Sequence, residues 1–495
     1  MNKLDELYKV CMSGGRIGAK FVVNPSMVLL HKVSPFNLWC DFFAPKQEKD
    51  PESESLKILA KIGNIEEEKY VEEKYPGMQR IDVETVEQGF FEVLRGCFEG
   101  VGAFHSAPLI YLPEGILGIP DLLEKNAGHR SIFGSHHYII KEKKTTKEPK
   151  DKHILQTALN NYVLGKIQGY TPPTFIIVNR DNEEFGFHFD DCIIELQDSI
   201  ASIREIMNGK FITPTRGALQ EPWKSFGLKK AEEIGDISLI SGIGPEKKEL
   251  LAKAGINTIS ELEKASLGSF KMKGIGAKSL AKWQIHAMAI SQSRIIKINS
   301  PALAKYDTEI FLDFEGTYDL PNLFLEELGI EPNERWVNTI YLIGVLVVEN
   351  ANKVYTPYFA DSIGGEKAIL EQFISLLHSK SNFVIYHYGS YEKTRIKQMS
   401  AKYGIKDDFT DKMVDLNQVL KNSAVFPTYT FRLKEVAKEL GFSWSEQGMD
   451  GFLSIAHYLT YLRNGDKTEI QKVIKYNEED CDATSIVKDF LDSLN

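Results

Sequence analysis

The sequence has few cysteines, no long apolar run and no excess of positive charge, and each shortage narrows the possible classes of protein. Its five cysteines are scattered without a Cys-x-x-Cys pair, which excludes a zinc ribbon and a disulfide framework and fits a reducing cytoplasm. No apolar run reaches the roughly 18 residues of a membrane span, and Lys, Arg and Gly interrupt the N-terminus where a secretory signal needs apolar residues. We expect a cytoplasmic protein without a membrane partner.

The composition is that of an ordinary globular protein. With 495 residues, 43% of them hydrophobic and 26% charged, the chain can form about two to four domains with separate cores. Its net charge of −10 argues against a polyanion as partner. The charge is uneven, however, because residues 224–298 carry 13 Lys and Arg against seven Asp and Glu, whereas residues 299–495 carry 20 against 30. The middle of the chain is therefore locally basic.

This basic middle holds the clearest internal repeat. Ser-Gly-Ile-Gly at 241–244 precedes one helical pattern, and Lys-Gly-Ile-Gly at 273–276 precedes another. Pro245 suits the first turn of a helix. The pattern predicts helix, Gly-x-Gly hairpin and helix, twice over.

Both flanks of the basic middle have the pattern of mixed α/β domains. In the N-terminal flank we predict strands over residues 115–123, 135–141 and 174–179 and a helix over 152–165. In the C-terminal flank we predict strands over 309–316, 337–348, 353–359, 382–386 and 412–416, and helices over 366–378 and 391–403. Three consecutive strands followed by alternating helices and strands favour a mixed sheet covered by helices.

Two acids end the first predicted strand of the C-terminal flank. Asp313 and Glu315 are two residues apart, so strand geometry directs both side chains to one face of the sheet. Burying two like charges side by side is costly unless a cation neutralises them, which makes the pair a natural site for Mg²⁺ or Mn²⁺. An exposed strand end is the alternative interpretation of the pair by itself.

Further acids follow in the same flank. Glu392 lies in the first turn of the helix after the fourth strand, and Tyr476 and Asp480 are four residues apart on one face of a C-terminal helix. For that helix, a solvated acidic face is the alternative interpretation. Asp415, at the end of a strand, and Asp482 are reserve candidates for metal ligands.

Acid-x-acid on the first strand, an acid after the fourth strand and Tyr-x-x-x-Asp on a closing helix together resemble the DEDD exonuclease superfamily of the RNase H-like fold, in its tyrosine-bearing branch. The resemblance implies that Asp313, Glu315 and Asp480 bind two metal ions and that Tyr476 orients the attacking water. Glu392 stands where the family usually has Asp. Two cations about 3.5–4 Å apart can generate hydroxide and stabilise the departing oxygen of a phosphodiester.

The N-terminal flank has a second set of acids, with a lysine. Gly-x-x-x-Glu ends at Glu67, Pro-Asp ends at Asp121, an acid-x-Lys pair joins Glu142 to Lys144, and Gln156 lies in the following helix. This set resembles the RecB-like branch of the PD-(D/E)xK nucleases, which have a restriction endonuclease-like α/β fold. The resemblance implies that Asp121 and Glu142 hold a cation while Lys144 positions water and phosphate. The sequence is compatible with an active nuclease site here and with a degenerate one.

The two Gly-Ile-Gly turns resemble tandem helix-hairpin-helix elements, which bind nucleic acid through backbone amides directed at phosphates. A helical spacer or protein-docking module is the alternative interpretation. Backbone contacts of this kind would give affinity without sequence preference. The residues implied in phosphate binding are Gly242, Gly244, Lys247, Lys248, Gly274, Gly276 and Lys278.

All three parts in this order resemble RecB-like nucleases with a C-terminal RNase H-like exonuclease domain. The resemblance divides the chain into residues 1–223 (RecB-like), 224–298 (helix-hairpin-helix) and 306–495 (RNase H-like). Some RecB-like relatives bind an iron–sulfur cluster through a close-spaced cysteine trio, and we predict no cluster because the sequence lacks that trio. We expect a metal-dependent 3′–5′ exonuclease that acts on DNA rather than RNA, beside a separate helicase because no Walker motif is present. A non-catalytic nucleic-acid-binding scaffold and an RNA-directed exonuclease are the alternatives.

Overall fold

The structure is a computed structural model in which two compact units are distinguished, Met1–Glu233 and Ile234–Asn495. It describes residues 3–14, 22–76, 78–81, 84–266, 274–318, 325, 338–362, 364–445 and 448–495. The second unit thus combines most of the basic middle with the C-terminal flank. The division into three domains stays a prediction. Within the described ranges, no helix combines the length and apolarity that crossing a bilayer requires.

The first unit is a mixed α/β structure. Its helices are α1 (Lys3–Cys11), α2 (Pro25–Val33), α3 (Pro35–Phe43), α4 (Glu54–Lys74), α5 (Val86–Glu99), α6 (Asp151–Gln168), α7 (Ile193–Met207) and α8 (Lys224–Glu233). Its strands are β1 (Gln79–Arg80), β2 (Ala103–His105), β3 (Leu109–Tyr111), β4 (Ile116–Gly118), β5 (Leu122–Asn126), β6 (His137–Lys143), β7 (Thr174–Val178) and β8 (Glu184–His188). Six strands form one mixed sheet in the order β1-β2-β5-β6-β7-β8, and β3 pairs with β4 separately.

The predicted single strand over residues 115–123 is wrong. The structure has two short strands there, β4 and β5, which belong to different sheets. Pro120 lies between them, and proline has no N–H to donate to a neighbouring strand, so the ladder is interrupted at this point. The interruption leaves the Asp121 backbone amide free to donate to Glu142 Oε2 at 3.0 Å.

The second unit begins with short helices and continues into a sheet. Its helices are α9 (Pro245–Lys253), α10 (Ile259–Lys264), α11 (Ala277–Ser291), α12 (Glu366–His378), α13 (Tyr391–Tyr403), α14 (Leu416–Ser423), α15 (Leu433–Glu439), α16 (Gly451–Asn464) and α17 (Lys467–Ser493). Its strands are β9 (Ile296–Lys297), β10 (Thr308–Gly316), β11 (Ile340–Glu349), β12 (Asn352–Phe359), β13 (Phe383–His387), β14 (Met413–Asp415) and β15 (Ala424–Val425). The helices predicted over 366–378 and 391–403 are confirmed at both ends.

The five-stranded sheet of the second unit has the order β12-β11-β10-β13-β14. β10, β11 and β12 are antiparallel neighbours, whereas β13 and β14 run parallel to β10. Most side chains of the central strand β10 are buried on both faces of the sheet. Helices α17 and α13 both contact this strand. The predicted mixed sheet with covering helices is therefore confirmed for this flank.

A glycine in the middle of β11 makes room for a side chain of α17. Gly344 lies opposite Asp313 in the β10–β11 pairing. A Cβ atom at this position would overlap Asn477 Oδ1 and lie 2.6 Å from its Cγ. Glycine in a strand interior often marks such a close approach. The sheet therefore accepts α17 closely enough for Asn477 to reach Asp313.

We expect Gly344→Ala to lower the free energy of unfolding by about 1–3 kcal/mol, because an extra methyl group in a filled site displaces its neighbours. Gly186→Ala in edge strand β8 is the matched control, since no atom lies within 4 Å of the new Cβ. The control should change the free energy by less than about 0.5 kcal/mol. Urea denaturation followed by circular dichroism measures both, and equal effects would contradict the close approach.

Candidate active site

Three acidic side chains from distant parts of the second unit meet where α17 packs on the central strand of its sheet. Asp313 and Glu315 come from the end of β10, and Asp480 comes from the middle of α17. One carboxylate oxygen of each lies within 4.8 Å of the others. We call these three residues the carboxylate cluster. Among the described residues, no other group of three or more His, Cys, Asp or Glu side chains meets this spacing.

The electrostatics of the carboxylate cluster are unfavourable for three negative charges. Burial raises the pKa of Asp313 well above its usual range, and the nearby charges of Asp480 and Glu315 raise it further. Burial also raises the pKa of Glu315 to about 8. For Asp480, burial raises the pKa to about 6 although a hydrogen bond from Trp444 acts in the opposite direction. A bound cation would relieve this repulsion.

Each acid of the carboxylate cluster accepts a hydrogen bond from a different helix or loop. Asn477 Nδ2 donates to Asp313 Oδ2 at 2.7 Å, Ser454 Oγ donates to Glu315 Oε2 at 2.7 Å, and Trp444 Nε1 donates to Asp480 Oδ1 at 2.8 Å. None of the three donors was predicted from the sequence. Their partners lie 36 to 164 residues away along the chain, so no local spacing reveals them.

Tyr476 lies where the sequence predicts it, one helical turn before Asp480. Its hydroxyl lies close enough to the Asp480 carboxylate to contribute to lowering the pKa of that acid. Lys434 Nζ lies 4.6 Å from the centre of the Tyr476 ring and donates to the Met449 carbonyl at 2.8 Å. Lys434 is also close enough to lower the pKa of both Glu315 and Asp480. Lys434 was not predicted from the sequence.

The remaining C-terminal candidates lie outside the carboxylate cluster. Glu392 is buried in the first turn of α13, and its charge contributes to the raised pKa values of Asp313 and Glu315. Its Oε2 lies 3.5 Å from His387 Nδ1. Asp415 accepts from the amides of Asn417 and Gly389, both at 2.9 Å, and thus caps α14. Burial raises the pKa of Asp482, and the nearby Lys353 acts in the opposite direction.

The carboxylate cluster opens onto a cleft of about 470 Å³. The cleft is entirely within the second unit and combines acidic, basic and aromatic side chains. It is lined by Ser241, Asp313, Tyr388, Asn417, Lys421, Phe431, Arg432, Leu433, Lys434, Tyr476 and Asp480. Nothing in the local sequence pattern predicts that these segments share a cleft.

The structure also brings the predicted N-terminal residues together. The Lys143 amide donates to Asp121 Oδ2 at 2.7 Å, and Lys144 Nζ lies 3.6 Å from Glu142 Oε1. The charge of Glu67 reaches both acids and contributes to raising their pKa values, for which burial is the largest cause. Burial favours a lower pKa for Lys144, but the Glu142 and Asp121 carboxylates outweigh it and raise the pKa.

Helix α6 and strand β2 add further polar groups to this N-terminal set. Gln156 Oε1 is buried without a hydrogen-bond partner in the described part of the chain, and Asn160 Nδ2 is 3.4 Å from Glu142 Oε1. Burial and the nearby Lys144 lower the pKa of His153 to about 4. On β2, His105 Nε2 lies 2.8 Å from Glu67 Oε1. His105 and Asn160 were missed as neighbours of the acids.

The two Gly-x-Gly turns have matching backbone conformations. Gly242 and Gly274 have φ values of +87° and +96°, in the left-handed region that favours glycine. Gly244 and Gly276 are extended and precede the first residues of α9 and α11. Residue 273 lies outside the described residues.

The lysines predicted to surround the turns differ in their contacts. Lys247 Nζ donates to the Gly242 carbonyl at 3.1 Å and lies 5.3 Å from the centre of the Trp283 ring. Lys248 forms an ion pair with Asp236 at 2.6 Å. Lys278 is exposed. Lys247 and Lys248 therefore stabilise the turn region from within, whereas Lys278 extends into solvent.

Comparison with protein families finds a match for the C-terminal part of the chain. A family model described as RNase_H superfamily matches residues 325–492. The chain therefore carries a C-terminal RNase H-like domain, which indicates a nuclease-type activity. Tyr476 and Asp480 lie within the matched range, whereas Asp313 and Glu315 precede it. No curated protein and no solved structure matches the chain.

We expect the carboxylate cluster to bind Mn²⁺, because carboxylate oxygens are the ligands that such hard cations prefer. Asp480→Asn removes one ligand charge and should lower the number of Mn²⁺ ions bound per chain by at least one. Asp489→Asn, an exposed acid on the same helix, is the matched control and should bind as the wild type does. The electron paramagnetic resonance signal of free Mn²⁺ measures the difference. Equal binding by both variants would exclude the cluster as a metal site.

Proposed function

We propose that the protein is a divalent-metal-dependent nuclease whose C-terminal domain acts as a 3′–5′ exonuclease on DNA. The observation that carries this proposal is the meeting of Asp313, Glu315 and Asp480, with ligand atoms within 4.8 Å of one another. The match of residues 325–492 to the RNase H superfamily supports the same chemistry. We further propose a cytoplasmic location.

The donor set fits a divalent cation. Three carboxylates supply hard oxygen ligands, and Glu315 and Asp480 are less than a tenth exposed. Their pKa values are raised, first by burial, although Lys434 lowers both, so the nearby positive charge compensates only part of the negative charge of the cluster. Asp313, Glu315 and Asp480 would hold Mg²⁺ or Mn²⁺. Bound there, the cations would activate water and stabilise charge on the phosphate oxygens.

The surrounding residues have separate tasks in this proposal. Asn477, Ser454 and Trp444 fix the orientation of the three carboxylates through their hydrogen bonds. Such outer hydrogen bonds commonly tune metal affinity. The Tyr476 hydroxyl, which borders the cleft beside Asp480, would orient the attacking water. Lys434 would offset part of the negative charge near the phosphate.

DNA is the substrate that we propose, although carboxylate chemistry does not itself distinguish sugars. The resemblance of residues 241–244 and 273–276 to helix-hairpin-helix elements supports a nucleic-acid backbone as the ligand, and their matching glycine conformations agree with that resemblance. Because the sequence has no Walker motif, a separate helicase would supply single strands.

We expect Asp313→Ala to reduce Mn²⁺-dependent digestion of a 5′-labelled single-stranded DNA at least 100-fold, because the variant removes a metal ligand. Asp489→Ala, on the exposed side of α17, is the control and should digest at the wild-type rate. Shortening from the 3′ end, seen as a ladder on a denaturing gel, identifies polarity. A matched RNA strand measures sugar preference.

Three outcomes would contradict the proposal. Undiminished digestion by Asp313→Ala would remove the C-terminal domain from the chemistry. No digestion by the wild-type chain, with binding retained, would favour a nucleic-acid-binding scaffold. Preferential digestion of the RNA strand would make the protein an RNA-directed exonuclease.

The N-terminal residues support a second candidate function, a RecB-like nuclease site. The specific observation is that Glu67, Asp121, Glu142 and Lys144 lie close enough for their charges to affect one another. Lys144 Nζ lies 3.6 Å from Glu142 Oε1. Asp121 and Glu142 would hold a cation, and Lys144 would position water and phosphate.

We expect any digestion that survives in Asp313→Ala to fall at least tenfold when Lys144→Ala is added, because the lysine stabilises charge on the phosphate. Lys147→Ala is the control, since this lysine is exposed in the same lysine-rich segment. Gel assays of nicked, linear and circular DNA measure the residual activity. No effect of Lys144→Ala on measurable residual cleavage would indicate a degenerate site.

A further inference from the structure

The first Gly-x-Gly turn and the carboxylate cluster share one cleft. Ser241, which begins the turn at residues 241–244, lines this cleft together with Asp313 and Asp480. All three residues belong to the compact unit Ile234–Asn495. The turn is therefore part of the same surface as the proposed chemistry.

A buried histidine fixes the turn at the cleft. The Ser241 amide donates to His286 Nδ1 at 3.1 Å, and His286 Nε2 contacts the Thr428 carbonyl at 2.8 Å. Because an amide can only donate, Nδ1 accepts and the ring proton lies on Nε2, from which it is donated to Thr428. Thr428 precedes Arg432 and Lys434 by four and six residues in the sequence. His286 thus joins the turn to the basic side of the cleft.

Three cations form that basic side. Lys421, Arg432 and Lys434 are exposed and line the cleft. In the described ranges, Lys421 and Arg432 have no acidic partner within ion-pair distance. Unpaired cations beside a cleft attract phosphates. We call these three residues the basic rim.

Aromatic and amide groups complete the cleft. Phe431 and Tyr388 line it, and the Tyr388 hydroxyl donates to the Phe431 carbonyl at 2.8 Å, which fixes their relative position. Aromatic faces of this kind stack nucleotide bases regardless of sequence. The buried Asn417 Oδ1 has no hydrogen-bond partner among the described residues. A nucleotide donor would satisfy it.

We propose that this cleft is a track for single-stranded nucleic acid. The basic rim holds the backbone, Phe431 and Tyr388 stack bases, and the turn at Ser241 contacts a phosphate upstream of the carboxylate cluster. A volume of about 470 Å³ suits a short stretch of one strand. The direction in which the strand moves toward the carboxylate cluster rests on the proposed nuclease function, whereas the binding of the strand does not.

Fluorescence anisotropy of 5′-fluorescein-labelled oligo(dT) with the full chain in EDTA tests the track without cleavage. The double variant Lys421→Ala/Arg432→Ala should bind at least tenfold more weakly. Its slope of log affinity against log salt should be less steep by about 1.4, since each phosphate contact with a single strand contributes about 0.7. Lys438→Ala, an exposed lysine on α15 outside the cleft, should bind as the wild type does.

Three outcomes overturn the track: unchanged affinity of the double variant, an unchanged salt slope, or an equal loss of affinity for blunt duplex DNA. Binding and digestion also separate this inference from the proposed function. Asp313-dependent digestion with unchanged binding by the double variant removes the track alone. Absent wild-type digestion with weakened binding by the double variant removes the nuclease function alone.

His286→Gln tests the anchoring of the turn. This variant loses the acceptor for the Ser241 amide and should raise KM for single strands at least fivefold while kcat stays within about twofold. A merely structural role would lower kcat and thermal stability together and leave KM unchanged. That result would remove His286 and the turn from the track.

Discussion

Mutual repulsion among three closely spaced carboxylates, two of them buried, is the constraint on which the second unit depends. β10 directs Asp313 and Glu315 to one face, and α17 brings Asp480 against them. Three like charges this close are tolerated when hydrogen bonds and a counter-ion compensate. The three donors around the carboxylate cluster supply the first kind of compensation. In the proposed function a divalent cation would supply the second, and this connects the fold to the proposed chemistry.

The packing of α17 on the sheet serves the same constraint. Gly344 leaves space for Asn477, which donates to Asp313 and accepts from the Tyr355 hydroxyl at 2.8 Å. The carboxylate cluster also explains part of the charge distribution along the chain. The net charge of −10 averages a basic region, residues 224–298, with an acidic flank that includes the carboxylate cluster. The basic rim lines the same cleft as Asp313 and Asp480.

Features set by local geometry could be predicted from the sequence, and features set by tertiary packing could not. Spacings of two in a strand and four in a helix were enough to group Asp313 with Glu315 and Tyr476 with Asp480. Trp444 and Ser454 carry no such signal, because they reach the cluster from separate segments. The break at Pro120 had a signal, the missing N–H, that the apolar pattern around it outweighed.

A crystal structure of the protein grown with Mn²⁺, with anomalous diffraction to locate the metal, tests the central claim most directly. We expect Mn²⁺ bound by the carboxylates of Asp313, Glu315 and Asp480, at the short distances of about 2.0–2.3 Å typical of hard cations and oxygen ligands. Anomalous density elsewhere on the chain with none at these three carboxylates would contradict it.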